Sequence, residues 1–482
     1  MRGLGLTILL LIFVVGVSAA GPDADFEGVW LGEITGPNAR TAVGLAFTRT
    51  GRGLAVSLYF PGMFLYGVDF GPAEIRDGAF VFEPFNLTVA RRGDTLTGTF
   101  AIAKLPLELR RAASWPPAGL IPPYPAAPAP AWSLPLGAAA WASPVARDGV
   151  VYVGTVDGSL HAVRASDGRR LWTWHGPNPL YGEALLTEDS VCLVDDHCDL
   201  VCLARANGTL RWRTPLHDQK PAGEPAPRDE TFNHRTAAPV IDGRGILYVG
   251  STDHGLYAIR AANGEVVWRR DAGAPICAPV TLSGDDLIVA GIDGSVVRFD
   301  CRLQEETMRV KLGGSIVSAP VIAGDRIVVG CRDYLLYGLD AAKGTVAWRD
   351  SYWFSWVEST PRLVDGVLYI GGSDYRRVSA LDPATGRARW ATDVRGLTWG
   401  SPVVTATTVY AGTAGQNIAG TLIKHLGGVV ALDRRTGAVK WRYDSPVPAD
   451  ATFTGCTGSL VLAAGNIIGA GVDGVLIAFP AD

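Results

Sequence analysis

One spacing constrains this chain more than any other feature. Tryptophan recurs at positions 132, 172, 212, 268, 348, 390 and 441, and Met308 fills the gap between 268 and 348. The successive intervals are 40, 40, 56, 40, 40, 42 and 51 residues. A period near 40 is the length of a supersecondary repeat, and four short strands fit within it. The surrounding unit recurs too: a small residue before Pro, two apolar strand-length runs, then Gly-x-x-x-Trp. Its clearest copies are 319–348, 360–390 and 401–441. Four strands per repeat arranged around an axis make a β-propeller. The 59 Gly and 31 Pro among 482 residues agree, because so many turn formers oppose long helices.

The fifth repeat shows the expected layout. Residues 318–323 read as strand A, 326–330 as B, 335–339 as C and 345–349 as D. The C–D turn is Asp340-Ala-Ala-Lys-Gly344, where Asp can close an Asx-turn and Gly can take positive φ. The same turn reads Asp382…Gly386 and Asp433…Gly437. Seven repeats end at the slots from Trp172 to Trp441. Residues 454–479 then supply three strands without a fourth, while Trp132-Ser-Leu134 is a fourth strand without a repeat. Joining the two closes a ring of eight blades and removes its open edges.

The segments Ala341-Ala-Lys-Gly344…Trp348, Pro383-Ala-Thr-Gly386…Trp390 and Arg434-Arg-Thr-Gly437…Trp441 resemble the pyrroloquinoline-quinone-type propeller repeat family. The resemblance covers about residues 132–482 and implies that Gly-x-x-x-Trp docks one blade on another. That family includes quinoprotein dehydrogenases and a non-catalytic outer-membrane assembly scaffold, which is a lipoprotein. This chain departs from both. It has no Cys-x-x-Cys-His for haem, no adjacent Cys pair and no lipid-acceptor Cys.

Ahead of the repeats, residues 1–20 combine Arg2, an apolar run and the small residues Ser18-Ala19-Ala20, the pattern of a cleaved secretory signal. This predicts a periplasmic or secreted protein with no lipid anchor and no transmembrane segment in its mature chain. Residues 21–112 carry alternating apolar positions such as Val43, Leu45, Phe47, Leu54, Val56 and Leu58, expected to form a small antiparallel barrel or sandwich. Residues 113–131 contain seven Pro and read as an extended, semi-rigid linker to the propeller of 132–482. The expected class is therefore all-β: an eight-bladed propeller closed by an N-terminal strand, preceded by a small β-domain.

Seven Cys (192, 198, 202, 277, 301, 331 and 456) fit no disulfide framework and read mainly as small core residues, with room for one bridge among the first three. A net charge of −4 argues against nucleic acid as partner.

Propeller geometry places the D-to-A loops and B–C turns on one face. Both large insertions, 214–234 and 414–428, belong to that face, which marks it as the binding surface. The candidate ligand or partner residues there are Trp141, Tyr181, Glu183, Arg235, Trp353, Trp356, Glu358 and Trp399. Glu358 and Glu183 can bind a cation or act as an acid–base pair; the structural alternative is that both are solvated or ion-paired to Arg235 or Arg362. Trp353, Trp356 and Trp399 can floor a site for a planar ring or sugar, or pack between blades. His197 and His254, read in B–C turns of adjacent blades, can share a metal or simply face solvent. No phosphate loop, nucleophile elbow or His-Glu-x-x-His motif occurs, so catalytic residues stay unassigned. These features favour an exported, non-catalytic propeller that binds a partner protein or glycan and needs no cofactor. The alternative implied by the resemblance is an oxidoreductase using pyrroloquinoline quinone and calcium, with the Trp-lined mouth stacking the quinone and Glu358 or Glu183 helping to hold calcium.

Overall fold

The computed structural model describes residues 26–35, 40–63, 65–83, 86–100, 105–115, 124–217, 237–353, 355–416, 425–447 and 452–482. The signal-like segment 1–20, Arg235 and most of both insertions lie outside these residues. The chain folds as two compact units, the first ending at Ala118 and the second running from Gly119 to Asp482. Among the described residues there is no α-helix.

The first unit is one nine-stranded antiparallel sheet, nearly closed into a barrel. Its strands follow the period-2 alternation of the sequence. Val43, Leu45 and Phe47 of Arg40–Thr50 are buried, as are Leu54, Val56 and Leu58 of the paired strand Gly53–Phe60. The inward side chains fill the interior. Phe47 meets Phe80 edge-on at 5.0 Å, Phe60 meets Phe100 at 5.5 Å, and Trp30 is fully buried, its indole N–H donating to the Phe26 carbonyl at 2.7 Å.

The second unit is the eight-bladed propeller. Seven blades are built from consecutive strands in the order A-B-C-D. The eighth takes its outer strand from Trp132–Pro135, which pairs antiparallel with Val475–Pro480, placing Trp132 opposite Ala478 and Leu134 opposite Leu476. The orphan strand therefore closes the ring as expected. In the fifth blade the strands are Val321–Ala323, Arg326–Gly330, Leu335–Asp340 and Val346–Ser351. Strand A begins three residues later than expected, since Pro320 has no N–H to donate to a ladder.

The repeat motif explains how blades adhere. Asp382 Oδ1 accepts the amides of Ala384 and Thr385 at 2.9 and 3.1 Å, forming the Asx-turn, and Gly386 completes it at φ +72°. Trp348 of the preceding blade lies flat against that Gly: a Cβ placed there would stand 2.4 Å from its ring. The Trp348 indole N–H then donates to the Pro383 carbonyl at 3.0 Å. Trp132, Trp172, Trp212 and Trp390 make the same bond to Ala165, Arg205, Ala261 and Arg434. Each Trp thus needs the Gly of the next blade, not its own. Where that turn lacks Gly, a Phe replaces the contact. Gln304 takes φ +56° in the fourth blade, and Trp268 packs on Phe299 at 5.4 Å. Trp441 packs likewise on Phe479 at 5.4 Å.

The described end of the Pro-rich segment runs along the outer strand of the seventh blade. Ala126 bridges Arg442 in parallel, and Arg395 stacks over the Tyr124 ring at 4.2 Å. Cys192 and Cys202, directly opposite on adjacent strands, form the one bridge within the trio. The other five Cys are buried and unbridged, and burial raises the thiol pKa of Cys331 and Cys456 to about 12.

Candidate functional site

The D-to-A loops of all eight blades converge on one cavity of about 480 Å³ at the mouth of the central channel. Six of the expected residues line it: Trp141, Tyr181, Glu183, Trp356, Glu358 and Trp399. Their common register explains this, because each stands just before or within the loop that leads to an innermost strand. Trp353 is elsewhere. Its backbone turns at φ +56° and the side chain is buried outside the cavity lining. Arg235 lies outside the described residues.

Two further lining residues were not among the expected site residues. Phe453 belongs to the strand Phe453–Gly455, which pairs with the extended strand Thr408–Gln416 of the seventh blade. It meets Trp141 at 5.5 Å and Trp399 at 5.9 Å, while the two indoles stack at 6.4 Å with 24° between planes. Together they form an aromatic wall. Trp399 is fixed by its N–H donating to Ser373 Oγ at 2.6 Å.

Asp374 is the second. Sequence alone places it, with Tyr375, at the tip of a B–C turn. In the structure the Arg376 amide bonds the Ser373 carbonyl at 3.0 Å, and Arg376 takes φ +50°. Asp374 and Tyr375 are therefore the two central residues of the turn, as the sequence places them, and from there Asp374 lines the cavity. The second blade turns in the same way: the Cys198 amide bonds the Asp195 carbonyl around Asp196-His197, and Cys198 takes φ +62°.

The three carboxylates are not equivalent. Glu358 forms a buried ion pair with Arg332, at 2.8 Å to Nε and 2.6 Å to Nη2, with both side chains only 9% exposed. Arg332 also stacks on Trp356 at 4.5 Å. Among the described residues the ion-pair partner of Glu358 is Arg332. Glu358 thus holds Arg332 over the Trp356 ring. Glu183 and Asp374 reach channel solvent yet are surrounded by protein. Burial raises the pKa of Glu183, with Arg362 opposing, and burial plus the Glu358 charge raises that of Asp374 to about 6. The described lining contains no Lys, Arg or His. The mouth is consequently an acidic, aromatic pocket suited to apolar and cationic groups.

The family described as outer membrane protein assembly factor BamB matches residues 126–262, 233–306, 255–355 and 303–482. The chain belongs to this family of propeller-repeat proteins. The BamB of Burkholderia pseudomallei is 24% identical over 268 residues, covering 52% of this chain and 65% of that protein. The alignment thus spans slightly under two thirds of that relative. Among solved structures, BamB from Moraxella catarrhalis overlays 71% of this chain and 90% of its own, with 16% identity and a TM-score of 0.50. The quinohemoprotein alcohol dehydrogenase of Comamonas testosteroni overlays 73% of this chain and 76% of its own, with 15% identity and a TM-score of 0.54. Both overlays show a shared fold.

The dehydrogenase likeness raises pyrroloquinoline quinone as a ligand, and the lining residues do not fit it. That cofactor carries three carboxylates of its own. Glu358 is already neutralised by Arg332, and a described lining that adds Glu183 and Asp374 with no cationic side chain disfavours such an anion.

The pair His197 and His254 does not assemble either. His254 is exposed on its turn in the third blade, whereas His197 lies 5.1 Å, ring to ring, from His217. His217 follows strand Leu210–Pro215 and lacked any sequence signal linking it to His197.

Proposed function

We propose that this protein is an exported, non-catalytic scaffold that holds a partner protein at the channel mouth. The observation that carries this reading is the aromatic wall of Trp141, Trp399 and Phe453 beside Glu183 and Asp374. Partly exposed tryptophans in a concave, dehydratable patch are the usual anchors of protein interfaces. A cavity of about 480 Å³ takes one or two side chains of a partner loop rather than a domain. Its charge selects Lys or Arg flanked by apolar residues. Membership of the BamB family supports a place in envelope protein assembly.

The test is photo-crosslinking in cells of the native host. A photoreactive residue replaces Phe453 in one variant and Leu303, on the opposite face, in another. We expect a discrete protein adduct from position 453 that Trp399→Ala reduces at least tenfold, and none from position 303. Equal adducts from both positions, or none from 453, would refute the assignment of the face.

A further inference from the structure

We propose that His197, Asp199 and His217 form a binding site for a transition-metal dication, with zinc the best match. The site is separate from the channel cavity and sits on the second blade. His197 is at the B–C turn, Asp199 opens strand Asp199–Ala204, and His217 begins the D-to-A loop. One ligand atom from each side chain lies within 4.8 Å of the others. His217 Nε2 is 3.5 Å from Asp199 Oδ1, and His197 Nδ1 is 3.9 Å from Asp199 Oδ2.

The 3.5 Å His217–Asp199 separation suits a shared ion better than a direct hydrogen bond, and His197, 3.9 Å from the other carboxylate oxygen, stands slightly outside the spacing of tetrahedral zinc ligands. An N–H···O bond is about 2.7–3.2 Å long. Ligands at about 2.0–2.2 Å from a tetrahedral zinc stand about 3.3–3.6 Å apart. Hydrogen bonding also leaves a residue unexplained. Asp199 is 9% exposed, yet its Oδ1 and both ring nitrogens of His217 are buried without a hydrogen-bond partner. Such groups in a folded protein call for a partner.

The surroundings support ligation. Arg213 Nε donates to Asp199 Oδ2 at 2.8 Å, which orients the carboxylate and leaves Oδ1 to face His217. Arg213 also pairs with the fully buried Asp195, which offsets the guanidinium charge, and Asn178 donates to the same Asp195 oxygen at 2.9 Å. An outer carboxylate–guanidinium pair of this kind fixes a ligand without competing for the ion. Two imidazoles and one carboxylate are a zinc donor set with a fourth position open to water. The ion would tie the start of the D-to-A loop to the B–C turn on the face that carries the insertions.

The test uses the full chain, stripped with chelator and desalted. Zinc is titrated by calorimetry, and cobalt is added separately to read the visible bands of tetrahedral coordination. We expect one equivalent of tight binding and a tetrahedral cobalt spectrum. His197→Ala, His217→Ala and Asp199→Asn should each weaken binding at least tenfold and abolish that spectrum. His254→Ala should leave both unchanged. Circular dichroism of the metal-free variants checks folding, and His197→Gln serves if His197→Ala does not fold. Absence of stoichiometric zinc binding by the parent chain, or unchanged affinity in the folded His197 and His217 variants, would overturn the site.

Discussion

The two units both close β-structure into a ring, and they use the enclosed space in opposite ways. The nine-stranded barrel fills its interior with Trp30, Phe47, Phe60, Phe80 and Phe100. The propeller directs its bulky apolar side chains between blades instead, and the loops at its axis leave a cavity lined by carboxylates and partly exposed indoles. The difference follows from what each element can bury. A single curved sheet has one inner face, which must pack on itself. A blade has two faces, both covered by neighbours, so the axis is released from supplying the core. Aromatic residues are therefore structural in the first unit and divided between structure and surface in the second.

This contrast can be broken by substitution. The largest effect belongs to the barrel interior. Trp30→Ala should cost about 3–5 kcal/mol in denaturant unfolding of that unit, as expected for a buried Trp. Trp399→Ala, at the mouth, should shift the propeller transition by less than half of that while abolishing partner crosslinking. A stability loss at Trp399 equal to that at Trp30 would remove the distinction between core and surface indoles.

An intermediate effect tests blade docking. Gly386 combines φ +72° with Trp348 packed against it, while Gly366 has φ +71° and open space around its Cβ position. Backbone strain alone costs Gly366→Ala about 1–2 kcal/mol. Gly386→Ala should lose visibly more, because the indole must also withdraw from its bond to Pro383. Equal losses in thermal unfolding would mean that the Trp contributes little to blade adhesion.

The smallest effect is electrostatic and confined to the mouth. Folded Asp374 keeps its proton up to about pH 6, whereas an unfolded Asp releases it near pH ~3.9. Between those values the folded state binds more protons, so rising pH lowers stability. Asp374→Asn should flatten that decline between about pH 4 and 6. An unchanged profile would show that Asp374 is fully solvated.

Six cavity residues could be found from the chain because the repeat fixes their register, and every blade presents that register at the same end of the channel. Trp353 broke the inference because its left-handed backbone turns it inward. Asp374 was hidden because an Asp-Tyr step at the centre of a B–C turn reads as ordinary hairpin chemistry, and nothing in that pattern shows that it faces the cavity. Phe453 was hidden because its strand joins the preceding blade.

The ring is written into the periodicity of the chain. Trp recurring about every 40 residues, Gly four positions before it and an unpaired Trp132 strand admit one closed solution, since each signal is local and repeats. The side-chain meetings across blades emerge only in the folded chain. The Trp–Gly contact joins different repeats, Glu358 pairs with Arg332, and His217 rather than His254 came to stand beside His197. Such pairings depend on loop paths and backbone dihedrals that place residues far apart in the chain within a few ångströms, and a periodic pattern carries no record of those paths.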